Sequence, residues 1–262
     1  MQVDICKIDG TAIGKAELPQ AFSKGFHEHL VRRALLAEQS LKYQPQGHYV
    51  LAGMQTTAAY IGRMNSYRTG RHMGIAIRPR QKLGGGAMGD VRRIPSSVKG
   101  RRAHPHTVNK KIAELINAKE YREALKSAIS GAVSSEVRER IGREMPIIVE
   151  DKIESIVKTK ELVNVLYALG LGNDLEKSHK PKLRKGLTAS KSRIRKFRKS
   201  VLIVAKDASK LEIAGANIPG VDVCSVSELS VVKLAPGAAP RPMIWSEAAI
   251  KELDSAIGKR RL

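Results

Sequence analysis

The sequence predicts an α/β fold: a mainly parallel sheet with flanking helices, interrupted by a long irregular basic loop. Three observations predict it. Short apolar runs alternate with stretches of helical period along most of the 262 residues. Across residues 45–105 that alternation stops, and ten glycines and four prolines punctuate the chain instead. Positive charge gathers in that same stretch and in one shorter run, so the remainder is nearly neutral. The expected organisation is a globular body, residues 1–44 and 108–262, and an extended loop, residues 45–107.

The elements follow in order. Residues 3–8 (VDICKI) read as a strand closed by Asp9-Gly10. Residues 27–42 read as a helix, with Leu30, Ala34, Ala37 and Leu41 on one face and Arg32 and Gln39 opposite. After the loop, residues 109–130 read as a helix whose apolar set is Ile112, Leu115, Ile116, Leu125, Ala128 and Ile129. Residues 134–141 suit another helix, and residues 146–150 (PIIVE) a short apolar strand. Residues 159–169 are helical, and Gly170 with Gly172 supplies a stop. Residues 201–205 (VLIVA) fit a strand buried on both faces. Residues 209–214 make a short helix and residues 221–226 (VDVCSV) a strand. Ser227 heads another short helix, and residues 243–245 suit a strand. Ser246 can cap a last helix over residues 247–257, where Glu247 meets the positive end of the helix dipole.

Charge bounds the function. Lys and Arg number 47 against 25 Asp and Glu, a net +22. A compact body with that excess repels itself, and a polyanion relieves it: RNA, DNA or an acidic membrane surface. Residues 42–111 carry 14 basic residues against one acid, Asp90, and residues 177–199 carry 11 with no acid. The rest holds 22 basic and 24 acidic residues. A loop of roughly 60 residues is far beyond ordinary loop lengths, which makes it functional, disordered or both. Glycine lets backbone approach phosphates closely, and arginine forks onto phosphate or a guanine edge. The interspersed Met64, Tyr67, Met73, Ile75 and Ile77 set the loop apart from a solvated linker. An aromatic content of 4% argues against base stacking as the main mode of contact. The loop is expected to be disordered alone and to fold on binding RNA.

Other chemistries find little support. No apolar run approaches the roughly 18 residues of a spanning helix. Charges interrupt the first apolar stretch, MQVDICKIDG, unlike a signal peptide. Cys6 and Cys224 lie in apolar strand runs and read as buried thiols without a CxxC pair, which fits a cytosolic compartment. The run from Gly84 to Gly89 lacks the Lys-Ser/Thr of a nucleotide loop, and no strand feeds it. His27 and His29 flank Glu28, and His104 and His106 flank Pro105. Neither spacing places two imidazoles on one helical face, and the second pair lies among arginines that would repel a metal. Glu150, Asp151 and Asp207 are scattered rather than clustered as a metal-dependent nuclease needs. Asp207 does follow a strand, where an α/β active site could sit. No catalytic residue, metal or cofactor is expected.

The loop motifs carry a family resemblance. Arg78-Pro79-Arg80-Gln81-Lys82, Gly84-Gly85-Gly86, Arg92-Arg93 and Lys99-Gly100-Arg101-Arg102-Ala103-His104-Pro105 together resemble the archaeal and eukaryotic form of ribosomal protein L-four. Thr69-Gly70-Arg71, Ala124-Leu125-Lys126-Ser127-Ala128 and Leu234-Ala235-Pro236-Gly237 resemble the family as well. His106 departs from it, standing where a second proline is expected. The resemblance implies an α/β body on the outer side of the large subunit and a loop that penetrates the RNA and helps form the nascent-peptide exit tunnel. It implies Arg71, Arg80, Gln81, Lys82, Gly84, Gly85 and Gly86 for the tunnel-lining tip. It implies Arg92, Arg93, Arg101 and Arg102 for rRNA along the stem; Arg63, Arg68, Arg78 and Lys99 of the same basic segment are further rRNA-binding candidates. The run 177–199 resembles the family in character more than in motif, and Lys191, Arg193 and Arg195 are its rRNA candidates.

The expected function is that of a non-enzymatic structural constituent of the large ribosomal subunit. It binds large-subunit rRNA, supports assembly and lines the exit tunnel. The expected partners are that rRNA, neighbouring large-subunit ribosomal proteins and the nascent polypeptide, with no membrane, in the cytoplasm. The alternatives are an RNA-processing enzyme and a transient ribosome assembly factor. Carboxylates clustered in space, or a glycine-lined pocket at strand ends, would favour the enzyme.

Overall fold

The structure is a computed structural model and describes residues 2–65, 67, 69–91, 94–192 and 194–260. The chain divides into two compact units: Met1–Lys42 with Ala113–Leu262, and Tyr43–Ile112.

In the first unit, β1 (Gln2–Cys6) turns back through Gly10, at φ +82°, into β2 (Ala12–Glu17). Then come α1 (Glu28–Leu41), α2 (Ala118–Gly131), α3 (Ser135–Ile141), β3 (Ile147–Val149), α4 (Thr159–Ala168) and α5 (Gly172–His179). The basic run forms β4 (Lys182–Leu183), α6 (Leu187–Ser190) and β5 (Arg195–Lys196). The chain closes with β6 (Leu202–Ala205), α7 (Ser209–Gly215), β7 (Asp222–Ser225), α8 (Val231–Leu234), β8 (Met243–Ser246) and α9 (Glu247–Lys259).

Six strands form one sheet in the order β2-β1-β3-β8-β6-β7. Only β1 and β2 pair antiparallel; the other neighbours are parallel. Parallel strands need crossovers, so helices cover both faces. β6 shows why. Leu202 and Val204 point to one face and pack with Val31, Leu125, Val231 and Leu253 of α1, α2, α8 and α9. Ile203 and Ala205 point to the other and pack with Leu162, Leu175 and Leu211 of α4, α5 and α7. All four are fully buried, which is what a run without a polar face requires. Each of the larger side chains stabilises the fold by about 2 kcal/mol through burial. Trp245 of β8 is buried as well and meets Phe22 edge to face at 5.5 Å.

The α/β class and the mainly parallel sheet agree with the sequence reading. Several local expectations need correction. β2 was not foreseen: AIGKAE is an edge strand exposed along most of its length, so no apolar alternation marks it. In α1 the expected Ala34 and Ala37 are buried and Leu30 is half-buried against the core, joined by Val31, Leu35 and Glu38, whereas Leu41 is exposed. The helix expected from residue 109 begins only at Ala118; Leu115 has helical spacing but is 90% exposed, so nothing rewards a longer helix. Gly170, at φ +81°, does end α4, whereas Gly172 starts α5. The short helix expected at Ser227 is capped instead by Ser230, whose hydroxyl accepts from the Lys233 amide at 3.3 Å. Ser246 caps α9 as expected, accepting from the Ala249 amide at 3.2 Å.

Cys6 and Cys224 are both free and buried. Burial pushes the Cys224 thiol up to about 12, so it remains protonated and inert.

Candidate nucleic-acid interface

Residues 43–112 contain 13 lysines and arginines and one acid, Asp90. Regular structure there is sparse. Ala59 bridges Arg80, each amide donating to the other's carbonyl at 3.0 Å, and Lys82 bridges Met88. Gly84–Gly86 makes a tight turn with Gly85 at φ +70°. Leu83 N–H closes that turn on the Ala87 carbonyl at 3.1 Å, and Gly89 N–H donates to Gln81 at 2.8 Å. Gly53 is buried where another backbone segment passes: a Cβ there would collide with the Arg102 and Ala103 carbonyls. Ile94 is also buried, but Met64, Met73, Ile75, Ile77 and Tyr67 are exposed, Tyr67 by 84%.

The expected site residues fall into groups. Arg78, Arg80, Gln81 and Lys82 come together around a concavity of about 160 Å³, with Ile61 and Met88 as apolar lining. Arg80 is half-buried and its Nη2 donates to the Ala76 carbonyl at 3.0 Å. Arg71 is also half-buried, and its Nε donates to the Gly62 carbonyl. Arg101 reaches the Gln55 carbonyl at 3.3 Å. A guanidinium has five N–H donors, so these arginines can tie the segment to itself and still present donors outward. Arg63, Lys99 and Arg102 are exposed, as are Gly84 and Gly85, and Lys99 adopts a left-handed φ of +58°. Arg68, Arg92, Arg93 and Arg193 lie outside the described residues.

The second basic run lies in the first unit. β4 and β5 form an antiparallel ribbon in which Lys182 faces Lys196 and Leu183 faces Arg195. Arg184 N–H donates to the Ile194 carbonyl at 2.8 Å and tightens it. Lys191, at the end of α6, and Arg195, on β5, are both exposed. Beside the ribbon stand Arg140 and Arg241, which sequence reasoning missed because they are remote in the chain from the charge run. Burial holds both guanidinium groups below the usual arginine range, while Asp174 and Asp222 respectively oppose that shift. Both remain cations. Arg140 and Arg198 share Asp174, each at 3.3 Å.

The strand ends where an enzyme would gather carboxylates look different. Glu154 accepts from the Lys206 amide and from the Ser246 hydroxyl, each at 2.7 Å. Asp151 accepts from the Ala248 amide at 2.8 Å, and Asp207 from the Ser209 amide at 3.1 Å. These acids hold the starts of α7 and α9. Among the described residues, no group of three or more His, Cys, Asp or Glu is placed to hold a metal ion. No described helix is long and apolar enough to cross a membrane.

Comparison with known proteins agrees with this geometry. Residues 16–256 match the model of the ribosomal protein L4/L1 family. Large ribosomal subunit protein uL4 of Methanococcoides burtonii is 38% identical over 257 residues, covering 96% of this chain and 97% of the relative. The Methanococcus vannielii protein of the same name is 37% identical, covering 97% and 98%. That of Methanocaldococcus jannaschii is 33% identical, again covering 97% and 98%. With a match along nearly its whole length, the chain belongs to the ribosomal protein L4/L1 family, in its archaeal type.

Proposed function

We propose that this protein is a structural constituent of the large ribosomal subunit that binds large-subunit rRNA, supports subunit assembly and lines the nascent-peptide exit tunnel. Its family membership is that of a structural, non-enzymatic ribosomal protein. One observation supports the rRNA reading above the others: the segment Tyr43–Ile112 sets 13 cations against one acid and leaves large apolar side chains exposed beside them. Such a surface is unsatisfied in water and suited to a folded polyanion with apolar base faces.

In this reading Arg63, Arg68, Arg78, Arg92, Arg93, Lys99, Arg101 and Arg102 neutralise phosphates along the loop. Lys191, Arg193 and Arg195 do so in the second basic run, residues 177–199. Arg71, Arg80, Gln81, Lys82 and the turn Gly84, Gly85, Gly86 form the tip beside the nascent polypeptide. The body, residues 1–44 and 108–262, meets rRNA and neighbouring large-subunit proteins, and the place of action is the ribosome in the cytoplasm.

Two measurements test the proposal. Sedimented on a gradient, the protein is expected with finished large subunits; recovery only with precursor particles would make it a transient assembly factor. Affinity for rRNA fragments is expected to fall roughly a thousandfold between low and moderate salt if about six phosphates are contacted. A flat titration would remove the electrostatic basis of the reading.

A further inference from the structure

Beside the β4–β5 ribbon lies a cavity of about 560 Å³. Its charged lining includes Lys182 and Lys196 from the ribbon, Arg198 just after it, and Arg140 and Arg241 from elsewhere in the body. Phe197 lines it too and is 47% exposed. Pro236 and Pro240, on the turn before β8, complete an apolar part of the wall. Asp174 and Asp222 neutralise part of this charge, through Arg140, Arg198 and Arg241. The Nε atoms of Arg140 and Arg241 are buried and, among the described residues, have no hydrogen-bond partner.

The lining therefore joins facing lysines, further guanidinium groups and an accessible aromatic ring. A simple anion would use the charge but not the ring. A duplex presents phosphates on a convex rod with its base faces stacked inside. An unpaired nucleotide offers a phosphate and a free π face together, the form in which proteins commonly recognise single-stranded RNA.

We propose that this cavity receives an unpaired nucleotide of a single-stranded RNA segment, its base stacked on Phe197 and its phosphate held by Lys182, Lys196 and Arg198. The inference rests on the reading of the chain as an RNA-binding protein. It adds a second mode of contact to the loop's phosphate neutralisation: recognition of an RNA element by its lack of pairing. A free nucleotide shares this chemistry, and the experiment separates the two.

Full-length wild type, Phe197→Ala and Phe197→Tyr are titrated with a short labelled single strand and with its duplex, after thermal melts establish that all three fold. Phe197→Ala is expected to weaken single-strand binding by about 5- to 100-fold, leave duplex binding unchanged, and be rescued by Phe197→Tyr. With 4-thiouridine in the single strand, photo-cross-links are expected on the peptide carrying Phe197. Equal affinities for Phe197→Ala and wild type, or equal losses on single strand and duplex, would overturn the inference while leaving the loop's salt-dependent RNA binding in place. A wild type that binds neither RNA would overturn the RNA reading itself. Adenosine 3′,5′-bisphosphate binding as tightly as the single strand would reassign the cavity to a free nucleotide.

Discussion

Lys182 and Lys196 stand directly opposite each other across the β4–β5 ribbon, and both are exposed. Like charges at cross-strand positions oppose the pairing, by something under about 1 kcal/mol at a surface. A ribbon built this way is poorly arranged for itself and well arranged for a polyanion. Lys196→Glu is therefore expected to tighten the free ribbon and weaken the RNA complex. Amide exchange at Arg184, whose N–H closes on Ile194, reads the first effect. Titration of an rRNA fragment reads the second. If ribbon protection and affinity rose or fell together, the pair would have no bearing on a polyanionic partner.

The basic loop has a matching kinetic signature. Among the described residues its backbone hydrogen bonds are separated by long exposed stretches, so most amides in residues 60–105 are expected to exchange rapidly in the free protein. Gly70 and Gly89, each donating at 2.8 Å, are the amides expected to last longest. Adding rRNA should slow exchange across the segment as it becomes ordered on its partner. Uniform protection without RNA would show that the loop is already fixed and that binding carries no ordering step.

Much of the body was legible because burial leaves a mark on composition. VLIVA fits a strand covered on both faces, and β6 is one. β2 left no such mark, since an exposed edge strand needs no apolar alternation. Helical spacing misled at Leu115, because period alone does not say whether a partner surface exists. In α1 it placed Ala34 and Ala37 correctly but not Leu41, and it gave no sign that Glu38, a charged residue, is buried beside them. The candidate interface divides in the same way. Charge density exposed the loop and the ribbon from sequence. The meeting of Arg140 and Arg241 with Phe197 depends on tertiary approach, which neither motif nor composition encodes.

Glu38 is a polar keystone of the body and can be tested as one. It accepts from the Tyr121 hydroxyl, from the Val231 amide at 2.7 Å and from the Val232 amide at 3.0 Å, so one side chain of α1 joins α2 to the start of α8. Burial, then the hydrogen bond and charge of Glu38, push the Tyr121 phenol well above its usual range, so it stays a neutral donor. Glu38→Ala leaves these donors without their acceptor and is expected to destabilise the fold by about 3 kcal/mol, lowering the melting temperature by roughly 6–12 °C. Glu38→Gln keeps one acceptor oxygen and should lose less, and Tyr121→Phe about 1 kcal/mol. Calorimetric melts of the three variants give the ranking; Glu38→Ala melting with the wild type would show that water satisfies these donors equally well.

Asp222 should shape the acid limb of stability. Burial raises its pKa, but hydrogen bonds from Lys199 and Arg241 outweigh that, and the carboxyl is held below the usual aspartate range. Arg241 is 2% exposed and donates to Asp222 at 2.7 Å, with its other terminal nitrogen on the Val201 carbonyl at 3.2 Å. The native state thus favours the charged form. This contribution is complete above the unfolded aspartate value of about 3.9 and is lost as the pH falls through the lower native value. Near neutral pH, Asp222→Asn removes the partner of a buried cation and is expected to cost about 3 kcal/mol. The difference between wild type and variant should then shrink as acid protonates Asp222 in the wild type. Replacing the pair together, Asp222→Asn with Arg241→Met, should recover much of the loss, since no buried charge is left alone. Urea titrations from neutral pH to below the aspartate range measure all three proteins. A wild-type-to-variant gap that stays constant across that range would mean the Asp222 carboxylate is not what holds Arg241 in place.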